Sequence, residues 1–491
     1  MPSGMQFLYL LPAICLLCGA LLTLLLDALL AREQAARGAW WLTLAAVALG
    51  FGAMFLLDGD VPVRIFAVVA YDEFTAYAWR LILGVLFVVV LLSESYIRNR
   101  GGEPGLYYAI LSLFGFGALL LAASTNTIML LLAVDLVSII GYVLTGFLHY
   151  DKRSTEAAIK YLVYGSALSA IMAYGLSWLY GLTGTTDYEM TARALLGTSV
   201  GLATPSAVTL IPVLVFILAG FSLKIGSAPF HQWLPDAFEG APTPVTAALA
   251  IVPKVAGFAA LVRTTMVMLP DVTALGALWR WPLAAFLSMT TMFVGNLIGL
   301  WQLNIKRLMA YSGIAQVGYA LIGLAVADER SLSALLFYLT AYALAEMAVF
   351  AAITVMSDRT GLDDVASYRG LYHRAPVLTV GLLIGIFSLF GVPGTGGFLA
   401  KLWLFTSALE AQRIWLLVAA ALNSVISVAY YWKVIRAAFI QSDRSLEPVP
   451  VPAASLVAVV VAVTGVLVLG LFPNPVLRWT GSAVHVFFAG G

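Results

Sequence analysis

The chain has 491 residues, 62% of them hydrophobic and 10% charged, with a mean hydropathy of +0.97. Soluble domains carry about 25% charged residues, so this composition excludes a soluble protein and indicates a polytopic membrane protein. A net charge of +1, from 26 Lys and Arg against 25 Asp and Glu, leaves no basic surface for nucleic acid and no acidic tail.

A window of about 20 residues, the length that crosses a bilayer, gives an all-α chain of fourteen transmembrane helices. The spans run over 5–30, 40–58, 74–96, 106–123, 126–148, 160–182, 207–238 with a break, 244–268, 281–302, 306–327, 331–356, 376–410 with a break, 412–436 and 453–473. The first holds both cysteines, Cys15 and Cys18. With no second pair and no histidine nearby, they read as helix packing rather than a metal or redox site. The four histidines, His149, His231, His373 and His485, are scattered and form no ligand set for haem or an iron–sulfur cluster. The first span is too long for a signal segment and is expected to stay in the mature protein. An even helix number puts both termini on one side. With the termini outside, the cytoplasmic loops hold fifteen Lys and Arg, Lys306 and Arg444 among them, against seven opposite, Arg263 and Arg280 among them, the distribution that orients membrane proteins.

Lys224, Lys254 and Lys401 lie inside apolar runs. A charge near mid-bilayer costs roughly 2.5–3.5 kcal/mol on insertion scales, so three oppose insertion by about 10 kcal/mol and mark an ion or proton path. Two of them adjoin interruptions: Phe221-Ser-Leu-Lys-Ile-Gly-Ser-Ala-Pro229 around Lys224, and Gly391-Val-Pro-Gly-Thr-Gly-Gly397 just before Lys401. The broken spans are the seventh and twelfth. Spans four to eight and nine to thirteen therefore form two five-helix units, each with a broken fourth member, and an odd helix count inverts the second unit relative to the first, as in secondary transporters. The expected segments are a three-helix start over 1–100, a first repeat over 101–270, an inverted second repeat over 271–440 and a final transmembrane helix within 441–491.

The run from Lys224 to Phe258, KIGSAPFHQWLPDAFEGAPTPVTAALAIVPKVAGF, resembles the signature of the antiporter-like membrane subunits of respiratory complex I, the NADH-quinone oxidoreductase of bacteria. Glu156-Ala-Ala-Ile-Lys-Tyr161, Gly295-Asn-Leu297, Lys306-Arg-Leu-Met-Ala-Tyr-Ser312 and Gly391-Val-Pro through Phe398-Leu-Ala-Lys401 extend the resemblance over roughly residues 70–440. Among the subunit types, N is the most similar. The L type has a long lateral helix after its last span, whereas this chain stops after the fourteenth. The M type has glutamate where Lys401 stands.

The resemblance implies the site. Asp135, in Ala133-Val-Asp-Leu-Val, takes the place of a family glutamate that pairs with the lysine of the first broken helix, here Lys224. Lys254 matches the central lysine of the eighth helix and Lys401 the terminal one, while Glu156 and Lys160 match a polar entry on the sixth helix. Gln316 stands where relatives often have histidine and cannot titrate, and Glu346 is expected to supply an acid at a usually neutral place. His231, in a Pro-Phe-His-Gln-Trp turn, lines the cytoplasmic mouth or supports the turn. The mechanism implied is proton translocation by switching ion pairs. Two charges about 4 Å apart interact by roughly 4 kcal/mol at an effective dielectric of 20, and a proton moved against 100 mV costs about 2.3 kcal/mol. Opening one Asp135–Lys224 pair is of the size needed to move one proton.

With no Rossmann glycine pattern, phosphate loop or cluster ligands in the chain, the resemblance implies that it binds no cofactor. NADH, FMN, iron–sulfur clusters and quinone then belong to partner subunits, and the partners in the bilayer are further antiporter-like subunits of the M and L types and a small K-type subunit. The location implied is a bacterial inner membrane with both termini on the periplasmic side. Two readings stay open beside this one: a subunit of a multisubunit cation/proton antiporter with the same fold and lysines, and a scaffold subunit that keeps the fold without pumping.

Overall fold

The computed structural model describes residues 6–57, 62–100, 102–197, 207–269, 277, 282–440 and 447–488. Arg280 and Arg444 of the charge tally, and the span or segment limits at residues 1, 5, 58, 101, 270, 271, 281, 441 and 491, lie outside the described residues.

Helices α1 (Leu11–Leu29) and α2 (Arg32–Ala53) pack on each other and on α4 (Pro104–Ala123). Between α2 and α3 (Glu73–Asn99) lies a small hairpin, β1 (Val63–Ile65) against β2 (Val69–Tyr71), in antiparallel register Val63 to Tyr71. Its turn residues Phe66 and Ala67 have φ of 51° and 58°, the positive values that tight hairpin turns require. Asp72 then caps α3, accepting from the Thr75 amide at 2.8 Å.

There follow α5 (Thr127–Thr145), α6 (Lys152–Thr183), the short α7 (Tyr188–Leu195), and the broken pair α8 (Ala207–Ile225) and α9 (Trp233–Gly240). Next come α10 (Thr243–Arg263, extended by a π turn to Met268), α11 (Ala284–Gly299), α12 (Ile305–Val326) and α13 (Glu329–Thr360). The second broken pair is α14 (Pro376–Phe390) and α15 (Gly396–Glu410), followed by α16 (Ile414–Ile435), α17 (Ala453–Leu471) and α18 (Asn474–His485).

Among the described residues eleven helices are long and apolar enough to cross a membrane. The spans expected over 40–58, 281–302 and 376–410 are not among them. Helix α2 starts earlier than expected and takes Arg32, Glu33 and Arg37 into its first turns; α11 has 16 residues, and 376–410 is two helices of 15 residues.

Helix α10 is the axis of the molecule: every residue from Thr243 to Arg263 is buried. Its many Ala and Gly residues let α3, α4 and α13 approach closely, the means by which helices associate in lipid. Helix α18 was not expected from the sequence. It lies against α3 and α13, with the Trp479 ring centred 4.5 Å from that of Tyr77 and tilted 59° to it, and Thr480 2.8 Å from Ser333.

Arg263, counted by the sequence reading among the outer loop charges, is buried instead. Its guanidinium makes two parallel bonds of 2.9 Å to the Asp72 carboxylate and a third, of 2.8 Å, to Thr75. Lys306 was likewise read as a loop charge. It is buried too, donating to the Ala241 carbonyl at 3.0 Å and pairing with Asp363 at 3.3 Å.

Candidate functional site

Lys224 occupies the last turn of α8, where free carbonyls give the helix end a partial negative charge that favours a cation. Gly226, at φ 76°, ends the helix, and both its amide and that of Ser227 return to the Ser222 carbonyl at 2.9 Å. The expected contact with Asp135 is not made: among the described ion pairs none joins the two. Lys224 Nζ donates to Ser138 Oγ at 2.5 Å, and the Asp135 carboxylate accepts from Ser169 Oγ. Ser138 and Ser169 were missed by sequence reasoning, because serine in an apolar helix usually bonds its own backbone. Ser138 does so as well, to the Val134 carbonyl at 2.8 Å.

Lys254 lies at the centre of α10, one residue after Pro253, which lacks an amide hydrogen. Its Nζ donates to the Tyr342 hydroxyl at 2.8 Å. That hydroxyl is also 3.0 Å from Glu346 Oε1 and 3.2 Å from the Ala250 carbonyl. Glu346 is fully buried on α13, and its Oε2 has no hydrogen-bond partner among the described residues. The acid expected from Glu346 thus stands beside Lys254, with Tyr342 joining them.

Lys401 is buried in α15 and reaches across the second break to the Phe390 carbonyl, the end of α14, at 3.3 Å; its Nζ lies 4.6 Å over the Tyr319 ring. Both broken helices therefore hold a lysine against a carbonyl-rich C-terminal end. Gln316 donates to the Leu389 carbonyl at 3.0 Å and accepts from Tyr338. A cavity of about 10 Å³, room for roughly one water, is lined by Tyr342, Gln316, Tyr338 and Lys401.

The residues matched by the transmembrane-domain model of NADH:quinone oxidoreductase and Mrp antiporters are 124–427, which takes in all three lysines. An NADH-quinone oxidoreductase subunit N 2 of Symbiobacterium thermophilum is 37% identical over 97% of this chain and 96% of its own length. The chain belongs to this family, in its subunit N branch. A second subunit N 2, from Sorangium cellulosum, is 36% identical over 97% of both chains. The structure is similar to a chain of respiratory complex I from Thermus thermophilus with bound aureothin: TM-score 0.79, 29% identity, 95% of this chain and 98% of that one.

Of the remaining site residues, Glu156 and Lys160 lie at the surface. Glu156 and Lys160 pair at 2.8 Å on α6, and Lys160 also reaches Asp236 on α9 at 3.1 Å. Asp236 in turn takes Arg307 at 2.6 Å, and Arg307 takes Glu239 at 2.8 Å. This network opens on a cavity of about 220 Å³ lined by Arg153, Glu156, Lys160 and Asp236. His231 is buried in the first break, where its Nδ1, Ser227 Oγ and Trp233 Nε1 all lack partners among the described residues. Arg80 packs between the Phe55 and Trp479 rings, 5.6 and 5.1 Å away, and donates to the Met54 carbonyl.

Proposed function

We propose that the chain is a proton-translocating subunit of the membrane arm of an NADH-quinone oxidoreductase, moving protons along Lys224, Lys254 and Lys401. The observation that carries this reading is the water-sized cavity shared by Tyr342 and Lys401, since Tyr342 is bonded to Lys254. Lys401 lines this space directly and Lys254 is joined to its wall through the Tyr342 hydroxyl, an arrangement with no purpose in a scaffold. In this reading Asp135 gates Lys224, Glu346 serves Lys254, and Glu156, Lys160 and His231 stand at the cytoplasmic mouth. Ten of the fourteen spans form two five-helix units over 101–270 and 271–440, the second inverted relative to the first, and both termini lie outside a bacterial inner membrane.

NADH, FMN, the iron–sulfur clusters and quinone are held by partner subunits, and the neighbours in the membrane are M-, L- and K-type subunits. The relatives named subunit N, which match nearly the full chain, favour this over a separate cation/proton antiporter. The test is Lys254→Ala and Lys254→Arg in the assembled complex. Arg keeps the charge but holds its proton, so both variants are expected to lose pumping in vesicles while a native gel shows intact assembly. Normal pumping by the Arg variant removes lysine deprotonation from the mechanism.

A further inference from the structure

We infer that the Tyr342 hydroxyl is itself a proton carrier, passing the proton between Lys254 and Glu346; this rests on the proposed path and adds a residue to it. Lys254 and Glu346 make no direct ion pair among the described residues, and the phenol bridges them at 2.8 and 3.0 Å. Both distances are those of well-made hydrogen bonds. The step balances. An N–H bond of the Lys254 ammonium breaks as an O–H bond forms on Tyr342, while the original Tyr342 O–H breaks and its proton bonds to Glu346 Oε1. The products are a neutral amine, an unchanged phenol and a neutral carboxylic acid, and no electron is transferred.

The hydroxyl has one hydrogen and two acceptors within reach, Glu346 Oε1 at 3.0 Å and the Ala250 carbonyl at 3.2 Å. Rotation about the C–O bond therefore connects or disconnects the relay without moving a helix. The space for this is kept open by Gly313. A Cβ there would stand 2.6 Å from Lys254 Nζ and 3.0 Å from the Tyr342 oxygen, and it would displace both. The unpartnered Glu346 Oε2 supplies a place for the proton to leave from or arrive at, in an interior where an unpaired carboxylate oxygen is otherwise costly.

The test is Tyr342→Phe in the assembled complex, which keeps the ring and its packing on Lys254 and deletes only the hydroxyl. Protons pumped per NADH oxidised in vesicles are expected to fall at least tenfold, with the native gel unchanged. Should that variant fail to assemble, 3-fluorotyrosine at residue 342, a more acidic phenol of nearly the same size, decides: the pH profile of pumping shifts toward acid if the phenol carries the proton. Pumping by the Phe variant at the unsubstituted rate, or an unmoved pH profile with fluorotyrosine, overturns the inference. If Lys254→Ala stops pumping and Tyr342→Phe does not, only the tyrosine relay fails; if Lys254→Ala pumps normally, the path itself fails.

Discussion

Lys224 does not touch Asp135; its ammonium rests on Ser138 Oγ at 2.5 Å, one helical turn further along α5. Each charge has a serine of its own, since Asp135 accepts from Ser169 on the neighbouring helix. The structure thus holds the expected ion pair open. The Ser138 hydroxyl gives its hydrogen to the Val134 carbonyl and offers only its oxygen to the lysine, so it can accept from an ammonium without changing its own bond.

Asp135→Asn is expected to be more damaging than Asp135→Glu. Asparagine still accepts from Ser169 but removes the charge toward which Lys224 closes. Glutamate is one methylene longer and reaches toward Lys224. Quenching of a pH-sensitive dye in vesicles should show at least a tenfold loss for Asn and at most a twofold change for Glu. Equal, near-normal signals from both would move the acid role away from Asp135.

Ser138→Ala deletes the acceptor that holds Lys224 in the open arrangement. An unsatisfied buried donor costs about 1–3 kcal/mol, about 5- to 150-fold in a two-state equilibrium, so Lys224 is expected to shift onto Asp135. Pumping should slow by several-fold while assembly persists, and Ser138→Thr should restore it. No change in the Ala variant would mean that the serine contact does not set the equilibrium.

What the sequence showed and what it hid follow from the same chemistry. The three lysines and the Gly/Pro interruptions were legible because charge and broken backbone are rare and costly in lipid, and each stands out within a single apolar run. Tyr342 carried no such signal: it is one of 21 tyrosines, in a helix whose neighbours are mostly apolar. Its role depends on Lys254, 88 residues away in the chain. Arg263 and Asp72 are 191 residues apart, so an arginine near a helix end reads as an orienting charge until the fold brings its carboxylate to it. The β1–β2 hairpin has three residues per strand, too few for an alternating pattern. Helix α18 was passed over because a search for apolar runs does not register a short amphipathic helix.

Gly397→Ala is expected to disrupt the second break. A Cβ at this position would lie 1.9 Å from the Ser388 carbonyl oxygen, a backbone atom that cannot rotate away, and the Gly397 amide donates to Ser388 Oγ at 3.1 Å. Overpacking of this kind costs about 1–3 kcal/mol or more. Because Lys401 lies one turn further along α15, its reach to the Phe390 carbonyl is lost with it. Complex recovered on a native gel should fall, and pumping by the remainder should fall further. Wild-type yield and pumping would show that the break has slack the close approach does not suggest.

The Asp72–Arg263 pair gives a prediction about stability rather than transport. It joins the start of α3 to the end of α10, with both side chains 4% exposed. Burial by itself raises the Asp72 carboxyl's pKa, but the Arg263 charge and the bonds from Arg263 and Thr75 outweigh burial and hold it below the ordinary carboxylate range. Because the folded value is the lower one, the stabilisation is complete above the unfolded Asp value near about pH 4 and is lost only as pH falls through the folded value. Between about pH 5 and 8 this pair should add no pH dependence. Removing one partner leaves the other charge buried, so Asp72→Leu or Arg263→Leu should each destabilise by about 3–5 kcal/mol. Replacing both, as Asp72→Leu with Arg263→Leu, leaves no charge behind and should lie closer to the unsubstituted protein than either single variant. Thermal unfolding midpoints of the purified complex in detergent, measured for all four proteins at two pH values, test this directly. Losses in the double variant that simply add those of the singles would show that the two residues are not energetically coupled, despite two bonds of 2.9 Å between them.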